Sequence, residues 1–474
     1  MFFRRLPYII YRDYPNFGYL TDNRNFGYDT ASRSCIKVGD RILSKTGSMF
    51  YSYLSETFQS LQAISEQVSH RFRDVPFNQI EEDAKDFFHE LAKDGFIDFG
   101  EDVDSGIRCN YFSYADKRTN QFVEDVESLE EPELKVDWGT EYRLSRVHVD
   151  VSGLCNERCV HCYFPEEYRN RTMPLALFKE VLNQSSECKV LNITISGGEP
   201  MLNPNLIEFI ELCRDGNYSI NLLSNLTLLT DDLVSAFERT PLLSVQTSLY
   251  SMDGDTHDSI TTSRGSFAKT KRAIEILHEH NIPMQINCPV MKQNKDTYQD
   301  VLRWASSLNI EASSDYMLFG CFDGSRKNLQ CRLDAYEIES IIKQEREYDS
   351  QGIRRKILSK SCDEESHICS VCTNSLCVSN SGNVYPCEGW QSCDLGNINK
   401  TRLSRVWTES SLVKQLRNLT YKDFPKCLSC EAKQYCSICL IRNVNESDNL
   451  NYMDVNPFFC DVARKKMDII NAKY

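Results

Sequence analysis

At 474 residues the chain exceeds the usual size of one folding unit, so two or three are expected, and a hydrophobic fraction of 41% suffices for their cores. A formal net charge of -14 argues against general binding to nucleic acid or to an anionic membrane surface. The N-terminal MFFRRLPYIIYRDY has neither the apolar run nor the cleavage site of a secretory signal, and no stretch reaches the ~20 apolar residues of a bilayer span, so a soluble cytoplasmic protein is expected.

Residues 1–100 read as a small α/β unit. Tyr19 to Leu43 is rich in turn residues and short apolar stretches, consistent with short strands, and helical patterns follow at about 47–57 and 59–72. A third helix opens at Pro76, places Ile80, Ala84, Phe87, Phe88 and Leu91 on one face and stops at Gly95, after which FIDF reads as a closing strand. Three helices with a small sheet suggest a winged-helix-like α+β domain. Residues 101–141 carry twelve Asp or Glu against four Lys or Arg and read as an acidic linker.

Over 142–355 short apolar strands alternate with helices. The strands are SRVHVDVS, VLNITIS, YSINLLSN, LLSVQTSL, PMQINCPV and a short one near YMLF; the helices fall at about 173–183, 204–214, 230–237, 266–279, 297–308 and 333–346. This rhythm predicts an α/β fold, a partial (β/α)6 TIM-type barrel whose site lies at the C-terminal ends of its strands. In 356–474 the rhythm stops and Cys, Asn, Ser and Gly dominate, so this cysteine-rich region is expected to depend on bound metal more than on a large apolar core.

Cysteine usage is the outlier, with 21 residues. Three fall within Cys155–Cys162 and eleven within Cys362–Cys460; the other seven, including Cys35, Cys109 and Cys213, are scattered and read as small buried hydrophobes. Clustered thiols without an export signal point to metal rather than disulfides. Cys155, Cys159 and Cys162 stand at CxxxCxxC spacing just after the first barrel strand, where three soft ligands suit iron–sulfur or zinc. Structural zinc would need a fourth protein ligand, and His161, between two of the cysteines, is poorly placed for it.

This motif resembles that of the radical S-adenosylmethionine (SAM) superfamily. The resemblance implies a [4Fe–4S] cluster on the three cysteines, SAM on its fourth iron, cleavage to a 5′-deoxyadenosyl radical, and His161 near adenine. A second superfamily element, Gly197-Gly198-Glu199-Pro200, follows VLNITIS; the glycines would permit close approach and Glu199 would pair with the SAM ammonium. Ser224 and Asn225 close the third strand, and Gln246 and Ser248 share a parity on the fourth, where the family places further SAM contacts. His257, Asp258 and Arg264 follow; Arg264 is a candidate for the SAM carboxylate, with a surface role the competing reading.

The C-terminal cysteines resemble the SPASM domain, which carries two auxiliary [4Fe–4S] clusters. Cys372, Gly382 and Cys387 match its first part; Cys427, Cys430 and Cys436 match its second, with Cys439 one residue early and Cys460 last. The resemblance implies one cluster on Cys372, Cys387, Cys439 and an upstream cysteine, Cys369 or Cys362, and another on Cys427, Cys430, Cys436 and Cys460. Cys377 and Cys393 read as extras, either able to replace an assigned ligand, and paired zinc sites are the alternative reading.

Residues 1–100 resemble the PqqD-like recognition domain fused ahead of peptide maturases, in which a leader peptide adds a strand to a sheet. The whole implies a maturase that holds a precursor peptide by its leader, receives electrons from a donor such as flavodoxin or ferredoxin, and installs a thioether from cysteine. Carbon–carbon crosslinking, epimerisation and formylglycine formation in sulfatases are the alternative chemistries.

Overall fold

The computed structural model describes residues 1–23, 26, 39–101, 138, 142–240, 243–348, 357 and 359–472. Most of the acidic segment 101–141, together with Cys35 and Cys109, lies outside the described residues.

The N-terminal unit contains β1 (Phe2–Arg5), β2 (Ile9–Asp13), β3 (Phe17–Asp22), β4 (Arg41–Ser44), α1 (Lys45–Ser52), β5 (Gln59–Ser60), α2 (Leu61–Ser69), α3 (Phe77–Lys93) and β6 (Ile97–Gly100). Two antiparallel sheets form, ordered β5-β1-β6 and β2-β3-β4, where one small sheet was expected. Helices α1 and α2 begin where Ser44 and Ser60 accept the amides of Gly47 and Ala63, and both end three or more residues before their predicted limits. The α3 stripe Ile80, Ala84, Phe88 and Leu91 is buried against Phe3, Leu20, Tyr51 and Ile64 in the unit's own core.

The larger core runs β7 (Arg146–Ser152), α4 (Leu175–Glu187), β8 (Asn192–Gly197), α5 (Leu206–Asp215), β9 (Ser219–Leu223), α6 (Asp231–Glu238), β10 (Leu243–Ser248), α7 (Gly254–Thr261), α8 (Ser266–Glu279), β11 (Met284–Pro289), α9 (Tyr298–Ser307), β12 (Glu311–Asp315) and α10 (Ala335–Tyr348). Strands β7 to β12 pair parallel in sequence order, the partial barrel expected from the repeats. The sixth strand is EASSD, just before YMLF: an edge strand with partly exposed polar residues has no apolar signature to mark it. Helix α7, GDTHDSIT, lacks apolar periodicity and was not foreseen.

The sheet does not end at β7. Strand β13 (Ser375–Val378) pairs parallel with it, Cys377 opposite His148, and β14 (Asn383–Tyr385) and β15 (Gly396–Asn397) continue antiparallel to nine strands. The C-terminal region therefore has a substantial apolar core, contrary to expectation. Leu376, Val378, Val384, Trp390, Leu403, Trp407, Leu416 and Leu440 are all buried in the same cluster as the barrel's Val147 and Ile193. Leu376, Val378 and Val384 come from short strands and Leu403, Trp407, Leu416 and Leu440 from short helices, and they become a core by packing on the barrel.

The N-terminal unit docks on the N-terminal ends of the barrel strands. Arg12 is buried, and its Nε and Nη2 donate to the Val190 carbonyl (2.8 and 2.6 Å) and Nη1 to the Asn217 carbonyl (3.0 Å), with the guanidinium 4.8 Å from the Tyr218 ring centroid. Asn217 closes the outer edge of β2, accepting the Tyr11 amide (2.8 Å) and donating to the Ile9 carbonyl (3.1 Å). At the other edge, β4 pairs only with β3 among the described residues. Trp138 packs on Tyr14, Phe17 and Tyr19, and Arg143 lies over its ring. No described helix is long and apolar enough to cross a membrane.

Replacing Arg12 by Met strands two buried carbonyl groups at ~1–3 kcal/mol each. Arg12→Met should lower the urea midpoint and speed hydrogen exchange at the Tyr11 amide while leaving exchange in α3 unchanged.

Candidate active site

Strand β7 delivers the chain to Cys155 through Ser152, where the β7–β8 register shifts between Asp150 and Ser152. The following loop is pinned at several points: Gly153 N to Arg171 O (2.8 Å), Arg158 N to Thr261 O (3.0 Å), Val160 N to Ile260 O (2.9 Å) and Cys162 N to Cys159 O (3.0 Å). Cys155, Cys159 and Cys162 are free, half-buried thiols. Burial raises the Cys155 pKa to about 11, with Glu199 and Cys162 adding to it, and burial together with Glu157 and the other two thiols raises Cys159 further. The three sulfurs are thus close enough to repel one another as thiolates.

Among the described residues no three His, Cys, Asp or Glu side chains converge on one point as a single metal ion requires. A donor set of three neighbouring thiols without a fourth protein ligand fits an iron–sulfur cluster better than zinc.

The Gly197-Gly198-Glu199-Pro200 turn lies directly against this loop. Gly198 N donates to Ser152 O (2.6 Å) and Glu199 N to Leu154 O (2.7 Å). A Cβ on Gly197, whose φ is +125°, would lie 2.2 Å from Ser152 O, and one on Gly198 would lie 2.3 Å from Leu154 O. The close approach is to the backbone of the cysteine loop, where a ligand was the expected neighbour. Pro200 is buried and opens the turn Pro200–Leu202.

Glu199 is fully buried, and its carboxylate accepts from Ser224 Oγ (2.7 Å), Asn225 N (2.8 Å) and Met201 N (2.9 Å). Burial outweighs these bonds and lifts its pKa to about 7. Asn225 Nδ2 donates to Asn156 Oδ1 (3.0 Å) and Asn156 Nδ2 to Thr227 Oγ1 (2.7 Å), which ties the third strand's end to the cysteine loop.

The His161 ring meets Tyr250 edge-on at 5.2 Å; its Nε2 is 3.5 Å from the Tyr250 hydroxyl, and its buried Nδ1 has no hydrogen-bond partner. Burial lowers its pKa to about 4. Gln246 Nε2 donates to Gln285 Oε1 (3.0 Å) on the next strand, and Ser248 helps to lower the Tyr250 pKa that burial raises. Asp258 braces α7 against α8 by accepting the amides of Gly265 and Phe267, and His257 accepts Tyr250 N (3.3 Å) from the segment before α7. Arg264 is exposed in the turn between these helices and makes no hydrogen bond or ion pair among the described residues, so the structure does not join it to the Glu199 group.

Several residues escaped the sequence reading. Arg169 Nη2 donates to Cys162 Sγ at 3.2 Å. Inside the barrel, His148 Nε2 is 3.2 Å from Asp150 Oδ1; Gln391 Nε2 reaches Asp150 Oδ2 at 2.5 Å, and Cys387 Sγ is 3.0 Å from Glu388 Oε2. Burial opposes the His148 charge, but Asp150 and Glu388 prevail and raise its pKa; burial likewise opposes Glu388, whose pKa is lowered chiefly by His148. The shared parity of His148 and Asp150 in RVHVDVS, among buried valines, was the available signal.

Mutual repulsion sorts the C-terminal thiols into two neighbourhoods. Cys427, Cys430, Cys436 and Cys460 influence one another. Cys369 neighbours Cys439 and Cys372, Cys387 neighbours Cys439, and Cys393 lies near Cys372. Cys362 falls with the Cys427 set: its Sγ is 3.7 Å from Lys433 O, and Tyr421 feels Cys362 together with Cys436 and Cys427. Cys377 lies 3.9 Å from Asp150 Oδ2.

Because both glycines abut main chain that cannot withdraw, Gly198→Ala should cost ~3 kcal/mol or more and lower the thermal midpoint. Ala substitution at Gly39, with no neighbour within 4 Å, should leave the midpoint within about a degree of wild type.

Comparison with known proteins agrees with this geometry. Residues 149–305 match the radical SAM superfamily, and residues 369–431 match an iron–sulfur cluster-binding domain, SPASM. The chain is 23% identical over 335 residues to an AdoMet-dependent heme synthase of Methanosarcina barkeri (65% of this chain, 94% of the relative). It is 27% identical over 299 residues to a PqqA peptide cyclase of Gluconobacter oxydans (60% and 82%). The fold is similar to Streptococcus suis SuiB, solved bound to precursor peptide SuiA, with a TM-score of 0.56 at 13% identity over 97% of this chain and 100% of that one. Both matched domains imply binding of SAM and iron–sulfur clusters. With its cysteine loop and Gly-Gly-Glu-Pro turn held together at the barrel mouth, the chain is a radical SAM oxidoreductase with a C-terminal SPASM region.

Proposed function

We propose that this enzyme matures a ribosomally made precursor peptide, holding the leader through residues 1–100 and forming a thioether from a cysteine of the core peptide. The observation that carries the reading is the N-terminal unit. A three-stranded antiparallel sheet is fixed to the barrel at its β2 edge by Asn217, while β4 pairs only with β3 among the described residues. An edge of this kind takes an extended peptide as a further strand. A small-metabolite substrate would leave residues 1–100 without a purpose.

In this reading Cys155, Cys159 and Cys162 hold one [4Fe–4S] cluster, to which SAM binds. When bound, this pair supplies abstraction of a hydrogen atom from an unactivated C–H bond. Glu199, aided by Ser224 and Asn225, receives the SAM ammonium; His161 and Tyr250 form an aromatic wall for adenine; Gln246 and Ser248 line the same strand ends. Cys369, Cys372, Cys387 and Cys439 hold one auxiliary cluster, and Cys427, Cys430, Cys436 and Cys460 the other. The neighbourhood of Cys369 with Cys439 favours Cys369 over Cys362 as the upstream ligand. Domain limits of 1–100, 142–355 and 356–474 follow, with an acidic linker at 101–141. Forming each thioether would take a hydrogen atom from carbon to the deoxyadenosyl radical and a proton from sulfur, and the one remaining electron would pass to an auxiliary cluster.

Co-expression with a cysteine-bearing precursor should lower the peptide mass by two hydrogens per bridge. Simultaneous replacement of Cys155, Cys159 and Cys162 by Ala should abolish both SAM cleavage and this mass change. A SAM-cleaving triple variant would refute the cofactor site; an unmodified cysteine in a processed peptide would refute the thioether.

Glu199 must be ionised to pair with an ammonium, and burial holds its pKa at about 7. SAM affinity should therefore fall by up to about tenfold per unit as pH drops below 7. Titration calorimetry of reconstituted enzyme should show this slope, and Glu199→Gln should flatten it.

A further inference from the structure

The loop after the third cysteine turns back on the motif. Tyr168 N and Arg169 N donate to Pro165 O (3.2 Å) and Glu166 O (3.1 Å), and the Arg169 side chain, only 6% exposed, points under the cysteines. Its Nη1 donates to Glu157 O (3.0 Å), and its Nη2 reaches both Phe164 O (3.3 Å) and Cys162 Sγ (3.2 Å). The charge of Arg169 also favours the thiolate of Cys155. The sulfurs are therefore unequally surrounded: Cys162 faces a cation, whereas Cys159 faces the Glu157 carboxylate at 3.7 Å and a distant Tyr250 hydroxyl at 3.9 Å.

From this geometry we propose that Arg169 is a positioning residue that raises the reduction potential of the cluster on Cys155, Cys159 and Cys162 by donating into the Cys162 sulfur. The inference rests on the cluster assignment made above. A guanidinium stays charged at every accessible pH. Its nearest counter-ion, Glu166 at 3.6 Å from Nε, has a side chain 69% exposed and is screened by water, so the positive field at Cys162 is not cancelled. Reduction adds one electron to the cluster, and a cation with an N–H directed at a ligand sulfur stabilises the more negative state; hydrogen bonds to sulfur, net charge and exposure are the levers that set such potentials. The two carbonyl bonds fix the planar fork with Nη2 also directed at the sulfur, a geometry that a single ammonium cannot reproduce.

The test is a potentiometric titration of reconstituted holoenzyme followed by electron paramagnetic resonance. The signal that changes when SAM is added identifies the cluster on the three motif cysteines. In Arg169→Gln its midpoint should fall by the equivalent of about tenfold in the reduction equilibrium, ~59 mV for one electron. The auxiliary signals should stay put. A SAM-sensitive midpoint equal to wild type, at equal iron content and thermal midpoint, would overturn the proposal. Should Arg169→Gln fail to hold iron, the wild-type enzyme labelled with 15N-arginine decides. Pulsed resonance on the SAM-sensitive signal should then show 15N coupling, and its absence would overturn the proposal equally. Failure of the wild-type enzyme to show any SAM-sensitive signal would instead overturn the assignment of Cys155, Cys159 and Cys162.

Discussion

Two main-chain hydrogen bonds, Gly198 N to Ser152 O and Glu199 N to Leu154 O, organise the rest of the site. They join the ends of adjacent parallel strands just where each strand runs into its loop. The first loop carries three thiols and the second a buried carboxyl, so their separation is set by backbone rather than by flexible side chains. Both glycines are needed for it, since either Cβ would intrude on a carbonyl oxygen. From Glu199 the network continues to Ser224 and Asn225, and from Asn225 to Asn156 within the cysteine loop, so three strand ends close into one hydrogen-bonded ring. Such a mouth is rigid before any ligand arrives, which suits a site that must exclude side reactions of a highly reactive species.

Below the mouth the barrel interior is charged. His148 and Glu388, both half-buried, gather about the buried Asp150, with Gln391 and Cys377 beside them. Burying one such charge alone would cost several kcal/mol, and the mutual pairing is what makes the group tolerable. The group is assembled from both halves of the molecule, because His148 and Asp150 come from β7, while Glu388 and Gln391 come from the segment after β14.

The elements that were legible in the sequence are those with dense or periodic apolar residues. VLNITIS, LLSVQTSL and the α3 stripe announce themselves by periodicity, and CxxxCxxC with Gly-Gly-Glu-Pro announces its chemistry by spacing. Strand β12 and helix α7 were illegible because edge position and polar composition remove the apolar signal. Arg169 lies seven residues beyond Cys162, and only a loop that doubles back brings it to the sulfur. The choice between Cys369 and Cys362 likewise depends on tertiary placement: seven residues apart in the chain, they fall in different thiol neighbourhoods. The apolar content of the C-terminal region was visible residue by residue, but its role as core could not be read without the barrel face that receives it.

The parallel pairing of β13 with β7 has a mechanical consequence. Two bodies joined by a tether can swing apart to admit a bulky guest; two bodies that share one continuous hydrogen-bond ladder cannot, unless the ladder itself is torn. Along the β7–β13 seam the two regions cannot swing apart, so the space at the strand ends is not opened by parting them there.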